Sequence, residues 1–336
     1  RTRHQLNFRV PFLTARHNQA NAGHNQRPAD ERAPVHLLVQ HQHPEGHGNH
    51  RSDQRDQHRL GYFHMLHQPV IKQKGDHRTD NRKIEKRHQG HRCPVQVQWI
   101  PALQKDTRTR NAHSSTAIEG NPLTLEQVRA VEEGREVPAV AARAKREVLN
   151  YFAGLRFIEK NSGKTRFTHD DMFRLHRIIA GEVMDQGEAG RYRTMRVRVG
   201  AYMPPPPADV SGLMFELLEW WNTDALGVPP ILSSAILHYR FEAIHPFADG
   251  NGRTGRALAL WELYRRGFDT HHIFSVDEFY WEDRPRYYAA LQAVRQHGED
   301  LTSWLEYASE GLLITLERVW TRVQKLSAQS RQKHFV

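Results

Sequence analysis

The stretch His245-Pro246-Phe247-Ala248-Asp249-Gly250-Asn251-Gly252-Arg253-Thr254-Gly255-Arg256 decides how the rest of the chain is read. Upstream of it, Ile231 to Ile244 is an apolar-rich helical stretch that Pro246 breaks. Downstream, Arg256 to Arg266 predicts a second helix, with Leu258, Leu260, Trp261 and Leu263 available for burial and Gly267 as a stop. The polar and glycine residues between the two therefore form a tight turn at a helix N-terminus. Such a turn suits an anion, because free N–H groups and the helix dipole favour phosphate. The three glycines let backbone approach closely. Arg253 and Arg256 add two guanidinium forks on one side of the new helix. Asp249 beside a phosphate makes sense if Mg²⁺ lies between them. His245 supplies a base at neutral pH. Any one of these features alone would be an ordinary glycine-rich helix entry. Together they form a parts set for phosphoryl or nucleotidyl transfer.

The run HPFADGNGRTGR resembles the Fic-domain motif H-x-F-x-[DE]-G-N-G-R-x-x-R at every fixed position. It lacks the Gly-Lys-Ser/Thr ending of a Walker A loop. The resemblance implies a mostly α-helical Fic-fold bundle with a short β-hairpin flap. It also implies transfer of AMP from ATP to a hydroxyl side chain of a protein. In that family pattern His245 is the base and Asp249 holds Mg²⁺. Gly250, Asn251, Gly252, Arg253, Gly255 and Arg256 surround the nucleotide, with the Asn251 amide and backbone N–H groups on phosphate oxygens. Phe247 plugs the core and fixes the loop.

Composition separates two regions. Residues 1–95 carry 17 Lys and Arg against 8 Asp and Glu, a net of +9, whereas the remaining residues carry 31 against 30. Of the 23 histidines, 14 fall in the first region. The basic pI therefore describes the N-terminal segment and is no sign that the body binds nucleic acid. Residues 1–95 show no sustained apolar period and read as a disordered polar segment. The break in composition also admits that this segment is not native coding sequence. The run His41 to His50 offers imidazoles to a transition metal, but a solvated tail explains it more simply. Cys93 is the lone cysteine, which excludes an internal disulfide and fits a reducing compartment. No apolar run approaches the roughly 18 residues of a membrane span, and Phe8 to Leu13 is too short for a signal-peptide core. The expected location is the cytoplasm.

Organised sequence is expected as residues 96–134, two N-terminal helices, and residues 135–336, the core and closing helices. Trp99 to Glu119 predicts a helix ended by Gly120-Asn121-Pro122. Thr124-Leu125-Glu126-Gln127 is a capping box for a helix to about Glu133. Pro138 is placed in the first turn of a long helix through Phe157, and Thr168 caps a helix to Ala180. Asp209 to Trp221, Glu282 to Gln296 and Thr302 to Leu326 are the remaining helical stretches. The tryptophans and His176 and His238 read as core residues rather than ligands or base-stacking platforms. His271 and His272 have no partner spacing for a metal.

Ser115, Glu119 and Gly120 resemble the family's inhibitory motif [ST]-x-x-x-E-[GN]. Four residues apart, Ser115 and Glu119 share a helix face. The resemblance implies that Glu119 pairs with Arg256 and keeps the γ-phosphate from seating, in the class whose inhibitory helix precedes the core. Residues 185–206 break the helical pattern. Thr194, Arg196 and Arg198 alternate with Met195, Val197 and Val199, which predicts a strand or hairpin before the stiff run Pro204 to Pro207. In the family this is the flap that holds the target by strand addition, with Val199, Gly200, Ala201 and Tyr202 near nucleotide and target. Tyr287 and Tyr288 resemble residues that wall the adenine; packing into the core is the equal alternative.

The function these features imply is a protein adenylyltransferase restrained by Glu119. Its expected partner is a protein with a Ser, Thr or Tyr hydroxyl docked at the flap, with room for self-modification and a homo-oligomer. Three alternatives stay open. One is removal of AMP in the same site. Another is a different donor, such as another nucleotide or phosphocholine. The third is a non-catalytic interaction or toxin–antitoxin-type module.

Overall fold

A computed structural model describes residues 99–333; the expectations for residues 1–95, including the histidine run and Cys93, lie outside them. Ten α-helices occur among the described residues: α1 (Ile100–Ile118), α2 (Leu125–Glu132), α3 (Ala142–Lys160), α4 (His169–Ala180), α5 (Pro207–Asn222), α6 (Pro230–Ile244), α7 (Asn251–Arg265), α8 (Val276–Glu282), α9 (Arg284–Gln296) and α10 (Thr302–Lys333). The most extensive helix pair is α6 with α7. Helices α1, α3 and α4 pack against α7, while α5 and α10 pack against α6. The central pair has no polar stripe because it is covered nearly all round. The loop between these two helices carries the motif, so the most enclosed helices hold the most polar residues.

Local signals set several boundaries. At both Thr124 and Thr168 the hydroxyl accepts the N–H three residues on, and Gln127 and Asp171 answer by accepting the cap residue's own N–H. Helix α7 begins at Asn251, earlier than its apolar residues suggest, because αL Gly250 starts it inside the glycine run. Pro138 does not open α3. Ala139 follows it with φ 59°, which no helix accommodates, and the helix starts at Ala142. The helix expected from Glu282 to Gln296 is α9, starting at Arg284, and the short α8 precedes it. Asp283 interrupts them and its side chain caps α9 by accepting the Arg286 N–H at 3.1 Å. Trp221, Trp261 and Trp304 are buried with their indole N–H groups bonded to Glu262, Asn161 and Ala235. Trp320 departs from the expected pattern and is exposed on α10 with Leu313 and Leu316.

The expected hairpin is reduced to its turn. Among the described residues no strand forms. Val199 and Tyr202 exchange N–H···O bonds of 3.0 and 2.9 Å around Gly200-Ala201, as an isolated antiparallel bridge. The reason lies in the next residues. A returning strand needs N–H groups, and Pro204 to Pro207 have none. Arg193 also claims the carbonyls of Met195 and Pro205. No described helix is long and apolar enough to cross a membrane.

Two buried histidines tie fold stability to pH. Burial pushes His176 and His238 each down to about 4. The unfolded chain, titrating near 6.5, therefore binds protons that the folded chain refuses. Their contribution should be complete above pH 6.5 and decline as the pH falls toward 4, by on the order of 3 kcal/mol for each histidine. Urea midpoints measured across that window should fall with acidification.

Candidate active site

His245 closes α6 in the left-handed region, at φ 50° and ψ 61°. Its N–H donates to Phe241 O at 2.9 Å, and its own carbonyl accepts Arg193 Nε at 2.8 Å. The main chain at the base is thus fixed on both sides. Arg193 is buried and also reaches the carbonyls of Met195, Pro205 and Ile244. It joins the flap segment to the end of α6. The sequence gives no sign of this role, since Arg193 sits in a run of otherwise exposed arginines.

The loop behind His245 is held from below. Phe247 is fully buried and stacks on His176, with ring centroids 3.6 Å apart and planes 7° from parallel. His176 Nδ1 accepts the Gly190 N–H at 2.9 Å, so the proton is on Nε2, which donates to Asp249 O at 2.8 Å. Asn251 differs from expectation. Its amide does not face phosphate: Oδ1 accepts the Phe247 N–H and Nδ2 donates to Phe247 O, each at 2.9 Å. The side chain locks the loop, and only its backbone N–H is left for an anion. The first bond of α7 runs from the Thr254 N–H to Gly250 O, so the N–H groups of Asn251, Gly252 and Arg253 precede it.

A cleft of about 790 Å³ opens over this helix start, lined among others by His245, Asp249, Gly250, Asn251, Gly252 and Arg256. Val199, Gly200 and Ala201 form one side and Tyr287 and Tyr288 another. Tyr287 is buried, with its hydroxyl 3.0 Å from His238 Nε2, whereas Tyr288 is exposed and its hydroxyl reaches Ile118 O. Tyr202 does not line the cleft. Its hydroxyl donates to Ala243 O and the Arg295 guanidinium stacks on its ring at 3.6 Å. Gly255 also faces elsewhere, with Phe241 and Glu242 over its Cα.

The motif's two arginines are placed differently: Arg256 lines the cleft, whereas Arg253 is not among its lining residues. Arg253 is buried with Nε and Nη1 lacking any partner, and Nη2 lies 3.8 Å from Asp249 Oδ1. A buried guanidinium with unmet donors is the environment an anion would complete. Arg256 is buried and bonded through Nε and Nη2. Nε donates to Ser115 Oγ at 2.8 Å, and Nη2 donates to Ser115 O at 2.9 Å and Glu119 Oε1 at 2.6 Å. Asp277 Oδ2 stands 4.0 Å from Nε. Burial opposes its charge, but the Glu119 carboxylate and other anionic neighbours outweigh that and hold Arg256 well above the usual range. The Glu119 carboxylate lies where a Cβ on Gly252 would be, directly over the helix start. Gly120, with φ 96°, then ends α1.

The residues present fit Mg²⁺ and a nucleoside triphosphate. Among the described residues no group of three His, Cys, Asp or Glu could hold a metal alone. Asp249 lines the cleft with a partly exposed carboxylate, and Oδ1 accepts the Gly250 N–H at 2.5 Å. One carboxylate is the protein share that Mg²⁺ takes when phosphates and waters supply the rest.

Comparisons with known proteins agree with this geometry. Residues 166–263 match the model of the Fic/DOC family. The chain is 34% identical over 221 residues to the Caenorhabditis elegans protein adenylyltransferase fic-1, covering 64% of this chain and 42% of that protein. It is 34% identical over 201 residues to the Aedes aegypti protein adenylyltransferase Fic, covering 59% and 39%. The chain thus spans less than half the length of these curated relatives. Among solved structures, a Fic family protein from Desulfovibrio desulfuricans G20 is similar at a TM-score of 0.61 and 30% identity, covering 72% of this chain and 73% of that one.

The Asn251 lock predicts a stability effect. Asn251→Ala leaves the Phe247 N–H and C=O buried and unpaired and should cost about 2 kcal/mol. Asn251→Asp keeps the acceptor and should lie between it and the parent. Urea unfolding of the three proteins measures the order.

Proposed function

The chain belongs to the Fic/DOC family, and on that premise we propose that it is a protein adenylyltransferase, moving AMP from ATP to a Ser, Thr or Tyr hydroxyl of a target protein. The observation that carries this reading is the cleft that brings His245, Asp249, Arg256 and the N–H groups ahead of the first α7 bond together. Phosphate oxygens of ATP would take the N–H groups at Asn251 to Arg253 and draw on the unmet donors of Arg253. Tyr288 and the edge of Tyr287 would border the base. Asp249 would hold Mg²⁺, whose charge would offset that of the departing pyrophosphate.

His245 would take the proton of the target hydroxyl on Nε2 as that oxygen bonds to the α-phosphorus. The bond from the α-phosphorus to the bridging oxygen breaks, and pyrophosphate leaves with the electron pair. The target would lie along the flap, where an added strand supplies the ladder that the prolines cannot. The protein itself is one candidate target.

Glu119 would restrain this reaction. Its carboxylate takes an Arg256 donor and fills the space over Gly252 that a phosphate would use. Removing a charge-assisted bond worth about 1.5–3 kcal/mol should raise the rate about tenfold or more. The test is incorporation of label from ATP carrying radioactive α-phosphate, with Mg²⁺, into the protein and a cell lysate. Glu119→Gly should raise labelling, and adding His245→Ala should lower it by about 10²–10⁴. If Glu119→Gly binds ATP yet stays silent, transfer to those targets is wrong.

A further inference from the structure

We propose that Glu242 is a positioning residue for His245, holding its imidazole in the one tautomer that can act as a base, and that Gly255 makes room for it. The proposal rests on the transferase reading for its function, but its structural content stands apart from it.

Glu242 is on the last turn of α6, buried at 8% exposure. It stands 3.6 Å through Oε2 from His245 Nδ1. Two polar atoms in this pair are buried with no hydrogen-bond partner: Nδ1 of His245 and Oε1 of Glu242. The nearer oxygen is Oε2, and a small turn of the carboxylate would bring it within bonding reach of the orphaned Nδ1, since 3.6 Å is about half an ångström beyond N–H···O contact. Such bonds are often long before substrate arrives and tighten with it. The His245 backbone cannot drift away, because Phe241 O and Arg193 hold it from both sides.

The competing partners are already engaged. His238, one turn back on α6, faces the Tyr287 hydroxyl from α9. Arg256 of α7 is bonded to Ser115 and Glu119. The space is specific to this pair as well, since a Cβ on Gly255 would strike Glu242 Oε1. Burial pushes the Glu242 carboxyl up, but its contact with His245 and the charges of His245, His238 and Arg256 outweigh that and hold it below the usual carboxylate range. Glu242 is therefore an anion placed beside the base.

Two consequences follow for chemistry. With Nδ1–H directed at the carboxylate, the Nε2 lone pair is the one offered to the cleft. When Nε2 takes the hydroxyl proton, the imidazolium that forms is already next to a negative charge. The proton stays on the imidazole, and Glu242 does not take it.

The experiment has two arms. Protein with ¹⁵N-labelled histidine, its His245 signals assigned by comparison with His245→Ala, reports the tautomer by NMR without any turnover. The parent should carry the proton on Nδ1, and Glu242→Ala should shift His245 toward the Nε2–H form. In the Glu119→Gly background, Glu242→Ala should lower kcat about 100-fold with KM for ATP unchanged. Glu242→Gln, whose amide oxygen still accepts the Nδ1 proton, should recover most of the loss, and it keeps the test sound if the alanine variant unfolds. An Nε2–H tautomer in the parent, or full kcat without Glu242, overturns the proposal. A correct tautomer response in a protein that labels nothing would sink the transferase reading and leave the positioning role standing.

Discussion

The buried guanidinium of Arg256 is the constraint around which the other parts are arranged. It lies at 2% exposure in the middle of the helix bundle, where a bare cation would cost several kcal/mol. Helix α1 answers it from one side with a hydroxyl, a backbone carbonyl and a carboxylate, while Asp277 of α8 stands on the other. That requirement explains why α1 buries Ser115 where an ordinary core helix would present leucine. Thr107 and Asn111 bond the carbonyls of Ile273 and Phe274, fixing α1 against the segment that leads into α8. Helix α1 is thereby tied by polar atoms to α7 through Ser115 and Glu119 and to the approach to α8 through Thr107 and Asn111.

A second layer of order lies beneath the loop. Phe247, His176 and Asn251 form a plug, a stacking partner and a double hydrogen bond, and none of the three side chains offers its polar atoms to substrate. Their common effect is to keep the loop's own side chains off the first N–H groups of α7. The glycines then matter for what they omit. At Gly252 the missing side chain leaves the space that the Glu119 carboxylate enters, and at Gly255 the space that Glu242 enters.

Much of this was legible in the residues because the signals are local. The motif from His245 to Arg256 and the boxes at Thr124 and Thr168 follow from spacing along one or two helices, and the pairing of Glu119 with Arg256 is what the family resemblance implied. What escaped depends on contacts between distant segments. The Asn251 amide looks like a phosphate ligand until Phe247 folds back over it. Arg193 looks like one surface arginine among several until the ends of α6 and the flap meet around it. The missing strand was legible too, since four consecutive prolines already forbid a returning strand, and Asp283 followed by Pro285 marks the start of α9.

Arg193 also makes the flap and the base parts of a single bracket. One guanidinium grips the carbonyl of His245 and the carbonyls at both ends of the flap. On the proposed reading, a target chain laid along that edge would be registered against the same backbone that carries the imidazole. Misplacing such a chain by one residue would carry its hydroxyl to the opposite face of the strand, away from the base. Selectivity of this kind needs no pocket for the neighbouring side chains; it is a matter of alignment, set by the distance from one arginine to two stretches of backbone.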